Sequence, residues 1–207
     1  MKRKAIVFAA SLCLVFLIGI SLAAPAGLTS RSGVIDQEQP IIDSGSGTFA
    51  IGGPSSQILA QVFTAGINGE LSEVQFPIVC AQDGGSLIVE IQATQDGKPS
   101  GLVMASQSVP SSSFPAFLGL PSFRSIEFDR PVAPILSGRQ YAIVLRAASS
   151  PNSCGVFRGP AGDSYDGGRA YFISDPNASD VWVALGQPNG DSDDLPFVTL
   201  GHGGGPH

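Results

Sequence analysis

Residues Glu73–Cys80 read EVQFPIVC. Val74, Phe76, Ile78 and Cys80 fall on one side of an extended chain, and Glu73, Gln75 and Pro77 on the other. A period of two with one apolar side predicts a half-buried β-strand. Pro77 has no N–H to give to a ladder, so this strand is expected at a sheet edge or bulged at that point. The same period recurs on both sides. Ser86–Thr94 (SLIVEIQAT) puts Leu87, Val89, Ile91 and Ala93 in phase, and Tyr141–Ala147 (YAIVLRA) does so with Tyr141, Ile143 and Leu145. Gln57–Thr64 (QILAQVFT), LVMASQSV (102–109), RSIEF (124–128), Cys154–Arg158, Gly168–Ile173, VWVAL (181–185) and LPFVTL (195–200) read as further short strands. AQDGG (81–85) and QDGKPSG (95–101) are turns, and VPSSSFPAFLGLPS (109–122) and RPVAPILSGRQ (130–140) are proline-rich connections. Beyond the first 26 residues no 3.6-residue stripe appears. The expected fold is all-β: one two-sheet antiparallel sandwich of the jelly-roll type over residues 41–201. A polar linker at 27–40 precedes it and a loose tail, GHGGGPH, follows it.

The first residues, MKRKAIVFAASLCLVFLIGISLAAPAG, have the layout of a secretory signal peptide: three basic residues, an uncharged apolar run from Ala5 to Ala24, then small residues. Cleavage is expected after Ala23 or Ala26, so residues 1–26 form the leader. The competing reading is a retained anchor, because twenty apolar-rich residues just span a bilayer. Cys13 lacks the small preceding residue of a lipidation site. Loss of Lys2, Arg3 and Lys4 leaves eight Lys+Arg against 17 Asp+Glu, a formal charge of −9. That charge argues against nucleic acid and anionic membrane surfaces. It suits a soluble secreted product, extracellular or periplasmic, with no membrane partner once the leader is gone.

Cys80 and Cys154 remain after the leader. In an exported chain they are expected to form one disulfide. The loop of about 75 residues would contribute roughly 4 kcal/mol in the chain-entropy treatment. The alternative is two separately buried thiols.

Several segments, in order and spacing, resemble a family of exported bacterial jelly-roll-like β-sandwich modules of the carbohydrate-binding-like or choice-of-anchor type. They are QVFT (61–64) followed by Gly69 and Leu71, GKPSGLVMAS (97–106), LSGRQYAIVL (136–145), DSYDGGRAYF (163–172), Trp182 and DDLPFVTLG (193–201). The resemblance implies a jelly-roll-like sandwich, often described as carbohydrate-binding-like, with no assured ligand. The first expectation for such a module is non-catalytic binding of a glycan or cell-surface polymer; the alternatives are a structural or adhesive envelope protein making protein–protein contacts and a small glycan-acting hydrolase. The resemblance also allows a structural calcium.

Enzyme chemistry is poorly supplied. The two histidines, His202 and His207, lie in the Gly-rich tail, where a rigid Ser-His-Asp or Cys-His site is hard to build. A Cys/His zinc site lacks ligands once the cysteines are oxidised. No phosphate-binding or dinucleotide-binding glycine motif is present. A two-carboxylate glycosidase needs only acids, and Glu70, Glu73, Glu90 and Glu127 are available. The last three alternate with apolar neighbours and read as outward-facing strand residues.

Binding chemistry is better supplied. A sugar platform needs aromatic faces beside polar groups. Tyr165, Asp166, Tyr171 and Trp182 are the candidates. Adjacent Tyr171 and Phe172 must face opposite ways on a strand, so one is core. NGDSDDLPF (189–197) offers Asp191, Asp193 and Asp194 as calcium ligands, completed by Asp43, although the spacing is not that of an EF-hand. The alternative is a solvated acidic turn. Within SCGVFRGPAGDSYDGGRAYF (153–172), Gly167 and Gly168 are expected to supply positive φ or a bulge, and Asp163 and Asp166 to bond nearby amides. That stretch reads as a disulfide-stapled corner that a ligand could also use. Asn177-Ala178-Ser179 matches a glycosylation acceptor and marks a surface loop.

Overall fold

The computed structural model describes residues 33–43, 45–82, 85–129, 133–149, 153–186 and 193–204. The expected leader and Asp191 lie outside these residues.

The chain is nearly all β and every ladder is antiparallel. Among the described residues, fourteen strands run in order: β1 (Val34–Gln39), β2 (Thr48–Gly52), β3 (Ile58–Thr64), β4 (Gly69–Phe76), β5 (Ile78–Cys80), β6 (Ser86–Gln95), β7 (Lys98–Pro110), β8 (Arg124–Glu127), β9 (Ala133–Ile135), β10 (Gln140–Ala147), β11 (Ser153–Phe157), β12 (Ala170–Ile173), β13 (Val183–Ala184) and β14 (Phe197–Gly203). A six-stranded sheet has the order β13-β12-β3-β10-β6-β7. A five-stranded sheet has the order β1-β14-β4-β8, with β9 also on β4, and a third sheet is β2-β11-β5.

One apolar core joins all three sheets. Leu59, Phe63, Leu87, Val89, Ile91, Ile143 and Leu145 come from the six-stranded sheet, and Leu71, Val74, Phe76, Ile126 and Phe197 from the five-stranded one. Ile51, Ile78, Cys80, Cys154 and Val156 come from the third. Phe63 and Phe197 meet between the large sheets with centroids 6.5 Å apart. The Glu73–Cys80 alternation thus marks the core side, but the segment is two strands. Pro77 separates β4 from β5, and there the chain leaves one sheet for another, as strands do at sandwich corners. Ser72 is skipped in the β4–β14 register, so Leu71 and Val74 both reach the core despite odd spacing.

Cys80 and Cys154 are cross-strand partners in β5 and β11 and form the expected disulfide. A disulfide is compatible with an oxidising compartment outside the cytoplasm. No helix among the described residues is long and apolar enough to cross a membrane.

Two readings of the ends are corrected. Residues 34–39 of the expected linker form β1, a polar strand on the edge of the five-stranded sheet. His202 and Gly203 of the expected tail belong to β14, whose ladder extends to Gly203 opposite Gly69. A glycine-rich strand is tolerated here because close backbone approach favours it. A Cβ on Gly69 would collide with the His202 carbonyl.

The outer face of the six-stranded sheet holds a second apolar cluster: Ala60, Val62, Ala142, Val144 and Tyr171, with Ile58, Trp182 and Ala184 against it. Beside it Arg146 pairs with Glu90 at 2.6 Å, Gln92 donates to the same carboxylate at 2.8 Å, and the Gly101 N–H donates to Gln92 at 3.0 Å. Glu90 therefore points away from the main core, as its alternation predicts, yet it is buried in this network.

Candidate ligand-binding site

The loop between β11 and β12 is held by carboxylates from 30 residues further along the chain. Asp194, fully buried, accepts from the amides of Ser164 and Tyr165 at 3.0 Å each, and from Gln61 Nε2 at 3.0 Å. Gln61 returns its carbonyl to the Leu195 amide at 2.8 Å. Asp193 accepts from the Gly162 amide at 3.0 Å. Asp163 and Asp166 were expected to bond nearby amides; the Ser164 and Tyr165 amides go to Asp194 instead. Burial outweighs the three donors and pushes the Asp194 carboxyl up to about 6.

Tyr165 is turned inward. It packs edge-on against Phe197 at 5.0 Å, and its hydroxyl donates to Gln37 at 2.8 Å. Burial pushes that hydroxyl up to about 12, so it stays a neutral donor. Gly167 and Gly168 do not take the positive φ expected of them. They are needed for close approach: a Cβ at Gly167 would strike the Tyr165 ring, and one at Gly168 the Val62 carbonyl.

The remaining sequence candidates spread over separate places. Tyr171 and Asp166 line a shallow hollow of about 220 Å³ with Asp163, Arg169 and Gln140. Tyr171 pairs with Ala60 on the outer face while Phe172 pairs with Leu59 on the inner one, so Tyr171 joins the second cluster. Trp182 is half-buried against that cluster, and the Lys98 ammonium lies 3.4 Å from its carbonyl oxygen. The three rings do not form one exposed platform. Asp43 sits in its own turn, bonded to the Ser46 hydroxyl and, at 3.1 Å, to the Gly45 amide. The Ser46 bond, then the Gly45 bond, hold its carboxyl below the usual range. Among the described residues no three His, Cys, Asp or Glu side chains are gathered as a metal cage.

Asp193 also lines a pocket of about 380 Å³ with Thr48, Phe49, Gln57, Arg158, Phe172 and Leu185. Strands β2 and β12 bring the two phenylalanines there, and Arg158 directly follows β11. The Arg158 guanidinium stacks on Phe49, 4.2 Å from the ring centroid. Its Nε is buried with no hydrogen-bond partner, and among the described residues it has no ion pair. Gln57 is steadied through its amide nitrogen, which donates to the Ala50 carbonyl at 2.7 Å. The pocket therefore joins a half-buried aromatic edge, a donor-only cation, an amide and a carboxylate. Sequence reasoning missed Phe49, Gln57, Arg158 and Phe172, and named Tyr171 rather than Phe172 of the adjacent pair. The available signal was the Tyr171-Phe172 pair, whose inner member is the one in the pocket.

Two catalytic readings gain geometry but no cleft. His202 stands in β14 opposite Glu70, so the objection that it lies in a loose tail is withdrawn. Glu73 and Glu127 are direct cross-strand partners on the outward face of the five-stranded sheet, and Glu73 accepts from Gln75 at 2.7 Å. Neither lines the two pockets described above. No protein-family model matches the chain, and no curated protein matches it significantly.

Proposed function

We propose that this chain is a secreted, non-catalytic β-sandwich module that binds a neutral glycan in the pocket of Phe49, Gln57, Arg158, Phe172 and Asp193. The observation that carries the reading is one pocket lined by the Phe172 ring, the Asp193 carboxylate and Arg158, which has no ion pair among the described residues. One of two vicinal sugar hydroxyls accepts a hydrogen bond from the Arg158 guanidinium and the other donates one to the Asp193 carboxylate. An apolar sugar face rests on Phe172. The carboxylate makes the pocket less suited to an anion than to a neutral ring. Its volume is within the range of small-ligand sites.

A glycan array probed with the purified chain, followed by titration of its hits, tests this. Arg158→Ala and Phe172→Ala should each weaken binding about tenfold or more, the size of one lost charge-assisted hydrogen bond or stacking contact. An array with no retained glycan, or hits unaffected by both substitutions, rejects the reading.

A further inference from the structure

Residues 99–123 contain no Asp, Glu, Lys or Arg. After β7 this uncharged run forms a short 3-10 turn at Ser111–Ser113 and then a loop that projects from the third sheet. The loop is built, not slack. Phe114 is buried in the core, the Cys80 amide donates to the Pro115 carbonyl at 2.9 Å, and the Gly119 amide closes a turn onto the Ala116 carbonyl at 2.7 Å. Gln82 Nε2 donates to the Phe114 and Cys80 carbonyls at 3.2 Å each. Underneath, the Phe117 ring edge lies 3.4 Å from where a Gly155 Cβ would be, which seats the loop on β11. The tip nevertheless leaves Leu118 100% exposed, Leu120 86% and Phe117 45%.

Three apolar side chains on a backbone pinned in this way are a costly arrangement in water. Three side chains are far fewer than the roughly 20–30 residues a side of a standard protein interface. Shallow entry into a bilayer suits the tip: it carries apolar side chains, and no charge nearby in sequence has to be dehydrated. We propose that Phe117, Leu118 and Leu120 form a lipid-contacting tip that enters the interface of a zwitterionic bilayer. The formal charge of −9 without the expected leader argues against attraction to anionic headgroups. The charge argument against membranes made from composition concerns that attraction alone and does not reach apolar insertion.

The test uses the full chain with Phe117→Trp and Trp182→Phe, so that the loop carries the single indole, and phosphatidylcholine vesicles with brominated acyl chains. Emission should shift to the blue and be quenched, equally in low and high salt. Leu118→Asp with Leu120→Asp should abolish both effects without changing the melting temperature. Should Trp182→Phe impair folding, an environment-sensitive fluorophore on Leu118→Cys, with Cys13→Ser and Trp182 kept, reads the same insertion. An unshifted probe overturns the proposal. So does a response confined to anionic vesicles and lost in salt, or one that rises with protein concentration without lipid, which would mean a second copy covers the tip.

Discussion

The loop between β11 and β12, residues 158–169, and the loop between β7 and β8, residues 111–123, are nearly equal in length and opposite in design. The first is polar, and its residues are consumed in holding it: Asp194 takes two of its amides, Asp193 a third, and the Gly167 carbonyl accepts from the Thr64 hydroxyl at 2.6 Å. Tyr165, the side chain best suited by composition to touch a ligand, is spent as an inward wedge. The second loop is held by its own backbone carbonyls, through Gln82 and the Cys80 amide, and this leaves its apolar side chains free. Whether a loop offers its side chains to a partner depends on which of its atoms are used to order it.

The two loops share a root, and cutting it gives the largest expected effect. Cys80 supplies the amide that holds Pro115, while Cys154 lies in the strand that runs into Arg158. Replacing both cysteines with Ser should cost roughly 4 kcal/mol in the chain-entropy treatment. Chemical denaturation gives the loss. Amide exchange should speed up in both loops together, and acceleration in only one would break the claim of a common root.

Asp194→Ala should act on the polar loop alone. It leaves the Ser164 and Tyr165 amides and Gln61 Nε2 short of an acceptor in a dry site, at a cost of about 3 kcal/mol. The pH dependence sharpens the point. The Asp194 carboxyl sits at about 6 when folded, against the 3.8 of an unperturbed aspartate. A raised carboxyl contributes stability that is fully present below the unfolded value and is lost as pH rises through the folded one. The stability of the native chain relative to Asp194→Asn should therefore fall by about 3 kcal/mol between roughly pH 4 and 6 and then level off. A difference that grows with pH would mean that the three donors outweigh burial.

Asp194 also shows how far the residues could be read without coordinates. Alternation in EVQFPIVC and SLIVEIQAT located the main core face because one side of each is apolar, although in β6 the other side, with Glu90 and Gln92, is buried too. The disulfide followed from two cysteines and a compartment. Strand β1 escaped notice because it is an edge whose Val34 and Ile35 are exposed, so burial imposes no period on it. Strand β2, five residues ending at Gly52, is too short to show one. The acidic segment was legible as chemistry but not as geometry. Nothing local in DDLPF says that its carboxylates face amides 30 residues back. The Phe49, Gln57, Arg158 and Phe172 pocket was hidden for the same reason, since its members come from distant parts of the chain and meet only after folding.

The smallest effect belongs to the apolar loop and separates its two layers. Gln82 is itself exposed, and its amide nitrogen lies within 3.4 Å of the Ser111 carbonyl as well as bonding those of Cys80 and Phe114. Water can replace much of what it offers, so Gln82→Ala should cost only about 1 kcal/mol. Exchange should accelerate at the Phe114 and Gly119 amides while the Ser164 and Tyr165 amides keep their protection. If Leu118 and Leu120 act as a preordered tip, the same substitution should weaken vesicle insertion more than it weakens the fold, because the side chains remain but the backbone that presents them is loosened. Equal losses in stability and insertion would mean that the tip needs no ordering, and the contrast between the two loops would reduce to composition alone.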